Sequence, residues 1–413
     1  IGNAMLTGQL PFVDLWDRKP YGLFALFAFA HAVGGPGAAA YQLFAAIFTL
    51  IGAVLTYVLA REQTDRMTAA AAGMLYSLLM AIYGVFSANS EAFFIPMMLG
   101  MAVLVRSPAH PNAVARAMVA MLIGGLALQV KYTALPQCLF FGLWALWGQF
   151  RLGMPLLRLV ALAAGFGICG LLPTIAVGGG YALAGHWDAF WFANFVSFFD
   201  RLPSPNGRFS TPLIPYLLLL PALALGSFVG MSKSGPQRSS QMHVFLWLWF
   251  AASLATVFLP ATLYAYYLAA LIPPCVLLGL PLFQSEPGAR RNMRALIPCL
   301  YLFMVPSQLW HSYENRAATQ RLTNAISPLI HAGEGRCLYV FDGPTSLYQL
   351  TESCLPTRFI YPDHLNNALE RDGLGVSQEK EVSRILAQRP PVIVTSDDPV
   401  TPQNEATNRL IRD

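Results

Sequence analysis

"QLPFVDLWDRKPYGLFALFAFAHAVGGPGAAAYQLFAAIFTLIGAVLTYVLAR", residues Gln9 to Arg61, holds three kinds of sequence in a row. Its first part packs Asp14, Asp17, Arg18 and Lys19 together with Trp16 and two prolines. A brief apolar segment from Tyr21 to Val33 follows and stops at "GGPG", which reads as a helix lying at a membrane interface. The run from Ala38 to Ala60 is then apolar for longer than the roughly 20 residues that a hydrocarbon core about 30 Å thick requires.

The rest of the chain has the same character. Of 413 residues 55% are hydrophobic and only 11% charged, where ordinary globular domains carry roughly 25% charged residues. This composition belongs to a polytopic membrane protein rather than to several soluble domains. Hydropathy predicts about ten spans, near 38–60, 67–86, 92–105, 117–130, 136–149, 159–176, 212–231, 242–259, 265–283 and 295–310. The net charge of +5 contains no block of basic residues that would suggest nucleic acid.

The loops divide into two sets. One holds Arg61, Arg66, Arg106, Arg116, Arg151, Arg158, Lys233, Arg238, Arg290, Arg291 and Arg294; the other holds Arg18, Lys19, Lys131, Arg201 and Arg208. The asymmetry predicts that the first set is cytoplasmic and that the opening segment and the tail lie outside, in the periplasm of a bacterial inner membrane. An outside start with an even number of spans, and a first residue that is not Met, predicts at least one further helix upstream, so at least eleven in a full chain. The expected divisions are an outer loop and interfacial helix at 1–37, a transmembrane bundle at 38–310, and a small soluble unit at 311–413.

The tail reads as a small α/β layer. "CLYVFDG" and "PPVIVTS" have the pattern of buried strands, "TRFIYP" is a third strand candidate, and "QEKEVSRILAQ" has apolar residues at helical spacing. Cys138, Cys169, Cys275 and Cys299 sit in apolar runs and read as small buried hydrophobes. Cys337 and Cys354 lie in the polar tail; a bridge there would close a loop of about 17 residues and contribute on the order of 3 kcal/mol, but spacing alone does not establish it.

Ionisable residues at the outer boundary form a short set: Asp14, Asp17, Arg18, Lys19, Glu91, Lys131, His186, Asp188, Asp200, Arg201 and Arg208. Glu91, in "NSEAFFIP", reads either as a carboxylate in the first turn of a helix or as a group that holds or deprotonates a hydroxyl. Lys131, in "LQVKYTALP", is either snorkelling to water or offering a point charge to a phosphate. Trp16 suits the headgroup level, which would hold Lys19 just above the hydrocarbon, where a lipid-linked phosphate lies. The aromatic loop "HWDAFWFANFVSFFDRL" reads as an interfacial amphipathic helix or as the wall of a lipid groove. There is no phosphate-loop motif, no closely spaced Cys and His set and no G-x-S-x-G elbow. No repeat marks inverted transporter symmetry.

Taken together, "GQLPFVDLWDRKPYG", "NSEAFFIP", "KYTAL" at Lys131 and "YAYYLAALIPP" resemble membrane glycosyltransferases of the GT-C type, in the family 39 branch of protein O-mannosyltransferases and aminoarabinose transferases. Gly8, Asp14, Trp16, Asp17, Lys19, Pro20 and Gly22 match that branch's outer-loop pattern, from which Phe12 and Tyr21 depart; in "YAYYLAALIPP" Tyr266 stands where the family's helix commonly has histidine. The resemblance implies transfer of a sugar from a polyprenyl-phosphate carrier to a hydroxyl on a lipid, glycan or protein. It implies that Lys19 binds phosphate and Glu91 is the acidic site residue, with Lys131 a further phosphate candidate and Tyr266 in the substrate site. Asp14, Asp17 and Arg18 would shape the sugar pocket or brace its loop. The family's first catalytic acid would lie upstream of Ile1. Some relatives need a divalent metal, but no residues here form a convincing set for one. The competing readings are a flippase for a lipid-linked saccharide, which predicts charges buried at mid-depth, and a noncatalytic assembly protein that binds through its tail.

Overall fold

The computed structural model describes residues 1–85, 87–202, 214–229, 240–260, 263–283, 289–333, 335–399 and 401–413. Arg208, Lys233 and Arg238 lie outside the described residues.

After a short helix α1 (Gly2–Met5) and the charged turn, α2 runs from Tyr21 to Gly34. The bundle follows as α3 (Ala38–Arg61), α4 (Arg66–Ile82), α5 (Ser90–Val105), α6 (Ala113–Leu128), α7 (Leu135–Arg151) and α8 (Leu156–Leu183). Pro20 opens α2 in an extended conformation, where its missing N–H costs nothing. Asp65 caps α4 by accepting from the backbone N–H groups of Met67 and Thr68. Among the described residues, three helices are long and apolar enough to cross a membrane by length and composition, Ala38–Arg61, Leu156–Leu183 and Gln241–Phe258, and several other predicted spans correspond to shorter apolar helices. α8 exposes Leu156, Leu157, Leu171, Ile175 and Leu183, a face that suits lipid rather than water.

α3 packs on α4 and α5, and α6 on α5 and α8. This antiparallel run brings the α3–α4 and α5–α6 turns together, where Arg106 pairs with Glu62. Glu91 at the start of α5 and Lys131 beyond α6 meet at the opposite end. After α9 (Trp187–Trp191) the chain makes a π turn over Phe192–Val196, so the aromatic loop is not one amphipathic helix. α10 (Ile214–Val229) and α11 (Ser240–Phe258) precede the segment read as a span at 265–283. That segment is broken into a 3-10 stretch (Ala265–Leu271), α12 (Ile272–Leu278) and a second 3-10 turn (Leu280–Leu282), as its prolines at 273, 274 and 281 require.

α13 (Ala289–His331) is unbroken for 43 residues, so the boundary drawn at 311 falls inside a helix. The tail beyond it contains α14 (Ser346–Leu350), α15 (Pro362–Leu365), α16 (Gln378–Ala387) and α17 (Glu405–Arg412). Its sheet is one parallel pair, β1 (Tyr339–Val340) with β2 (Ile393–Val394), in the register Tyr339 to Ile393 and Val340 to Val394. The third candidate, "TRFIYP", forms no strand; Phe359 is buried among side chains instead. The Cys337–Cys354 disulfide is formed.

Candidate active site at one end of the bundle

The charged turn is held from both sides. Phe12, at a positive φ of 69°, packs with Phe24, Tyr181 and Phe190 on the bundle side, and the Tyr181 hydroxyl donates to the Pro11 carbonyl at 2.8 Å. Leu15 and Trp16 point the other way. Trp16 is 2% exposed and joins Tyr339, Phe341, Phe359, Leu365 and Ile385 in the core of the tail, while its backbone N–H donates to the Arg358 carbonyl at 3.0 Å. It is therefore a core residue of the tail and not a headgroup anchor. The reason is that a ring able to bury its full area against other aromatics gains more there than at a half-wet interface.

The four charges of the turn have different surroundings. Asp14 accepts from the Leu10 N–H at 2.7 Å and so closes its own turn. Asp17 is buried; its Oδ1 accepts from the Lys19 N–H at 3.3 Å and its Oδ2 lies 3.8 Å from the Lys19 ammonium. Burial works to raise the Asp17 pKa, yet the positive charges of Lys19 and Arg18 beside it hold it below the ordinary value. His364 also faces Asp17, but burial pulls its own pKa down to about 3, so it stands neutral. Arg18 forms a two-pronged pair with Glu370 of the tail. Lys19 keeps a half-exposed side chain, at 55%, and Asp14 is exposed as well.

Glu91 lies in the first turn of α5, fully buried, and accepts from the Ser90 hydroxyl at 2.9 Å. Its other oxygen pairs with the Lys131 ammonium. Lys131 follows α6 in an extended conformation, which turns its side chain inward instead of along the helix toward water. The ammonium lies 3.7 Å from the ring centroid of Tyr267, 5.8 Å from that of Tyr266 and 5.9 Å from that of Phe94. Snorkelling does not describe it; Lys131 is a desolvated cation on an aromatic floor. Tyr266 is present in that floor, but Tyr267 makes the nearer contact.

The two cationic positions are neighbours because α2 starts against the end of α6. The Leu23 N–H donates to the Gln129 carbonyl at 3.0 Å, and a Cβ on Gly22 would come within 2.6 Å of the Gln129 side chain. Only glycine permits that approach. Tyr132 next to Lys131 donates to the Asn194 side chain, joining the aromatic loop to the same place. Among the described residues, no group of three or more His, Cys, Asp or Glu is arranged to hold a metal ion.

Sequence reasoning did not find Glu370, Tyr267, Tyr132 or Asn194 as site residues. Tyr267 sits within the quoted "YAYYLAALIPP", where an aromatic run beside an interfacial lysine is a usable signal. Glu370 has no local signal at all.

The family model described as "Dolichyl-phosphate-mannose-protein mannosyltransferase" matches residues 18–174, which include Arg18, Lys19, Glu91 and Lys131. Among solved structures the fold is similar to that of ArnT from Cupriavidus metallidurans, determined bound to undecaprenyl phosphate. The TM-score is 0.53 at 18% sequence identity, over 80% of this chain and 59% of that one. The chain thus spans less than two thirds of that protein's length. No curated protein matches it. The likeness to GT-C membrane glycosyltransferases of the family 39 type is therefore present twice, in sequence over residues 18–174 and in fold over most of the chain.

Proposed function

We propose that this protein transfers a sugar from a polyprenyl-phosphate carrier to a hydroxyl acceptor at the outer face of a bacterial inner membrane. The observation that carries the reading is the buried Glu91–Lys131 pair on its tyrosine floor, with the half-exposed Lys19 beside it. A carrier phosphate arriving at that boundary meets two ammonium groups, and a buried anion gains more from them than it would in water.

In this reading Lys19 binds the phosphate, and Lys131 is shared between the phosphate and Glu91. As the sugar's anomeric carbon is attacked by the acceptor oxygen, its bond to the carrier phosphate breaks and the phosphate leaves with the electron pair. The two cations stabilise that developing charge. Glu91 orients the acceptor hydroxyl and takes its proton. Attack opposite the leaving phosphate inverts the anomeric centre. Asp14 and Arg18 are bonded within the loop and to the tail, which favours bracing over direct sugar contact.

The test is reconstitution of the full-length protein in lipid with labelled undecaprenyl-phosphate sugars. Turnover that collapses in Lys19→Ala and Glu91→Gln, in variants that remain folded at the assay temperature and still bind undecaprenyl phosphate, supports the reading. Carrier movement across vesicles without transfer, unaffected by either substitution, overturns it in favour of a flippase.

A further inference from the structure

Glu370 lies in a 3-10 turn of the tail, Ala368–Glu370, far in sequence from every residue of the site. Its carboxylate is 7% exposed and holds two guanidinium groups. Arg18 engages both of its oxygens, and Arg201 Nε lies 2.7 Å from Oε1. Arg18 immediately precedes Lys19. Arg201 lies near the end of the segment that carries Asn194, whose side chain accepts from Tyr132 beside Lys131. Two further bonds bind this segment to the tail: Ser197 Oγ donates to the Gly373 carbonyl at 2.5 Å, and the Leu202 N–H donates to the Leu369 carbonyl at 3.0 Å.

One buried carboxylate therefore ties together the turn bearing Lys19, the 192–202 segment and the tail. A planar two-pronged pair fixes direction as well as distance. Gly373 is part of the same fit: a Cβ there would lie 3.2 Å from Arg18 Nη2 and 3.3 Å from the Ser197 carbonyl oxygen.

We propose that Glu370 is a positioning residue for the carrier-phosphate site, through which the tail sets the placement of Lys19 and of the 192–202 segment. The proposal rests on the transferase reading above. It also makes a prediction opposite to simple electrostatics. Two guanidinium groups against one carboxylate leave a single positive charge in excess, so neutralising Glu370 adds positive charge near the phosphate. If Glu370 acted only through its field, Glu370→Gln would tighten the donor; if it positions, the same change loosens it.

The experiment measures KM and kcat for a labelled undecaprenyl-phosphate sugar with the full-length protein, Glu370→Gln, Glu370→Asp, Gly373→Ala and the exposed-tail control Glu379→Gln. Trypsin cleavage after Arg201 is followed in parallel. The expected result is a donor KM raised about tenfold or more in Glu370→Gln, with kcat changed less, a smaller rise in Gly373→Ala, partial rescue in Glu370→Asp and no change in Glu379→Gln. Cleavage after Arg201 accelerates in Glu370→Gln. An active parent with an unchanged or lowered KM in Glu370→Gln and Gly373→Ala overturns the positioning role while leaving the transferase reading intact. A parent that neither binds nor turns over any carrier sinks both.

Discussion

The Lys131 ammonium pairs with the Glu91 carboxylate, 40 residues upstream, and lies 3.7 Å from the centre of the Tyr267 ring. Glu91 is fully buried and the Lys131 side chain only 14% exposed, so neither tolerates the loss of the other.

Removing one partner alone, in Lys131→Met or Glu91→Gln, is expected to destabilise the bundle by about 3–5 kcal/mol, because an uncompensated charge or its proton-exchange cost stays buried. The double variant should recover much of that loss. Thermal unfolding in detergent across the four proteins measures the coupling; additive losses would mean that the pair is not buried as a unit.

Lys19 should behave in the opposite way. Its half-exposed side chain has Asp17 at 3.8 Å, so Lys19→Ala is expected to cost less than about 1 kcal/mol of stability. Donor affinity should nevertheless fall about tenfold, the loss of one charge-assisted contact. Equal donor affinity in the variant and the parent would remove Lys19 from the phosphate site.

Trp16 joins the opening turn to the tail core, so Trp16→Ala is expected to cost about 3–5 kcal/mol and to loosen the tail specifically. Hydrogen exchange should rise in 337–394 and in the turn itself, with the helices of the bundle unaffected. Uniform exchange throughout would show that the ring does not couple the two.

Acid should act at the same junction. His364 is buried neutral with a pKa of about 3, against an ordinary value of 6.5. Below pH 6.5 the unfolded chain binds a proton that the folded one refuses, so stability present at neutral pH is lost progressively as pH falls from 6.5 toward 3. Asp17 adds to this at lower pH: its folded pKa is depressed, so its contribution is held above the ordinary value of 3.8 and lost as pH falls through the folded one. Melting temperature should fall across this window, and His364→Phe, which keeps a ring against Trp16, should flatten the upper part of it. An unchanged slope in that variant would assign the acid sensitivity elsewhere.

The membrane class, the helical bundle and the nearness of Lys19, Glu91 and Lys131 at one end of it were legible in sequence order. Apolar run length and the placement of basic residues are local properties, and a bilayer converts them directly into helices and ends. The tail's helix at 378–387 and its two short strands were legible for the same reason, while "TRFIYP" was misread because apolar residues bury equally well without a ladder partner. The partners were decided only by tertiary structure. Nothing near Arg18 announces a carboxylate 352 residues away, nothing near Trp16 announces a core built from the tail, and only the turn after α6 shows that Lys131 is directed inward onto tyrosines. A charge or a ring declares in the sequence what it needs, a counter-charge or a dry surface; which residue supplies it depends on chain crossings that no local pattern records.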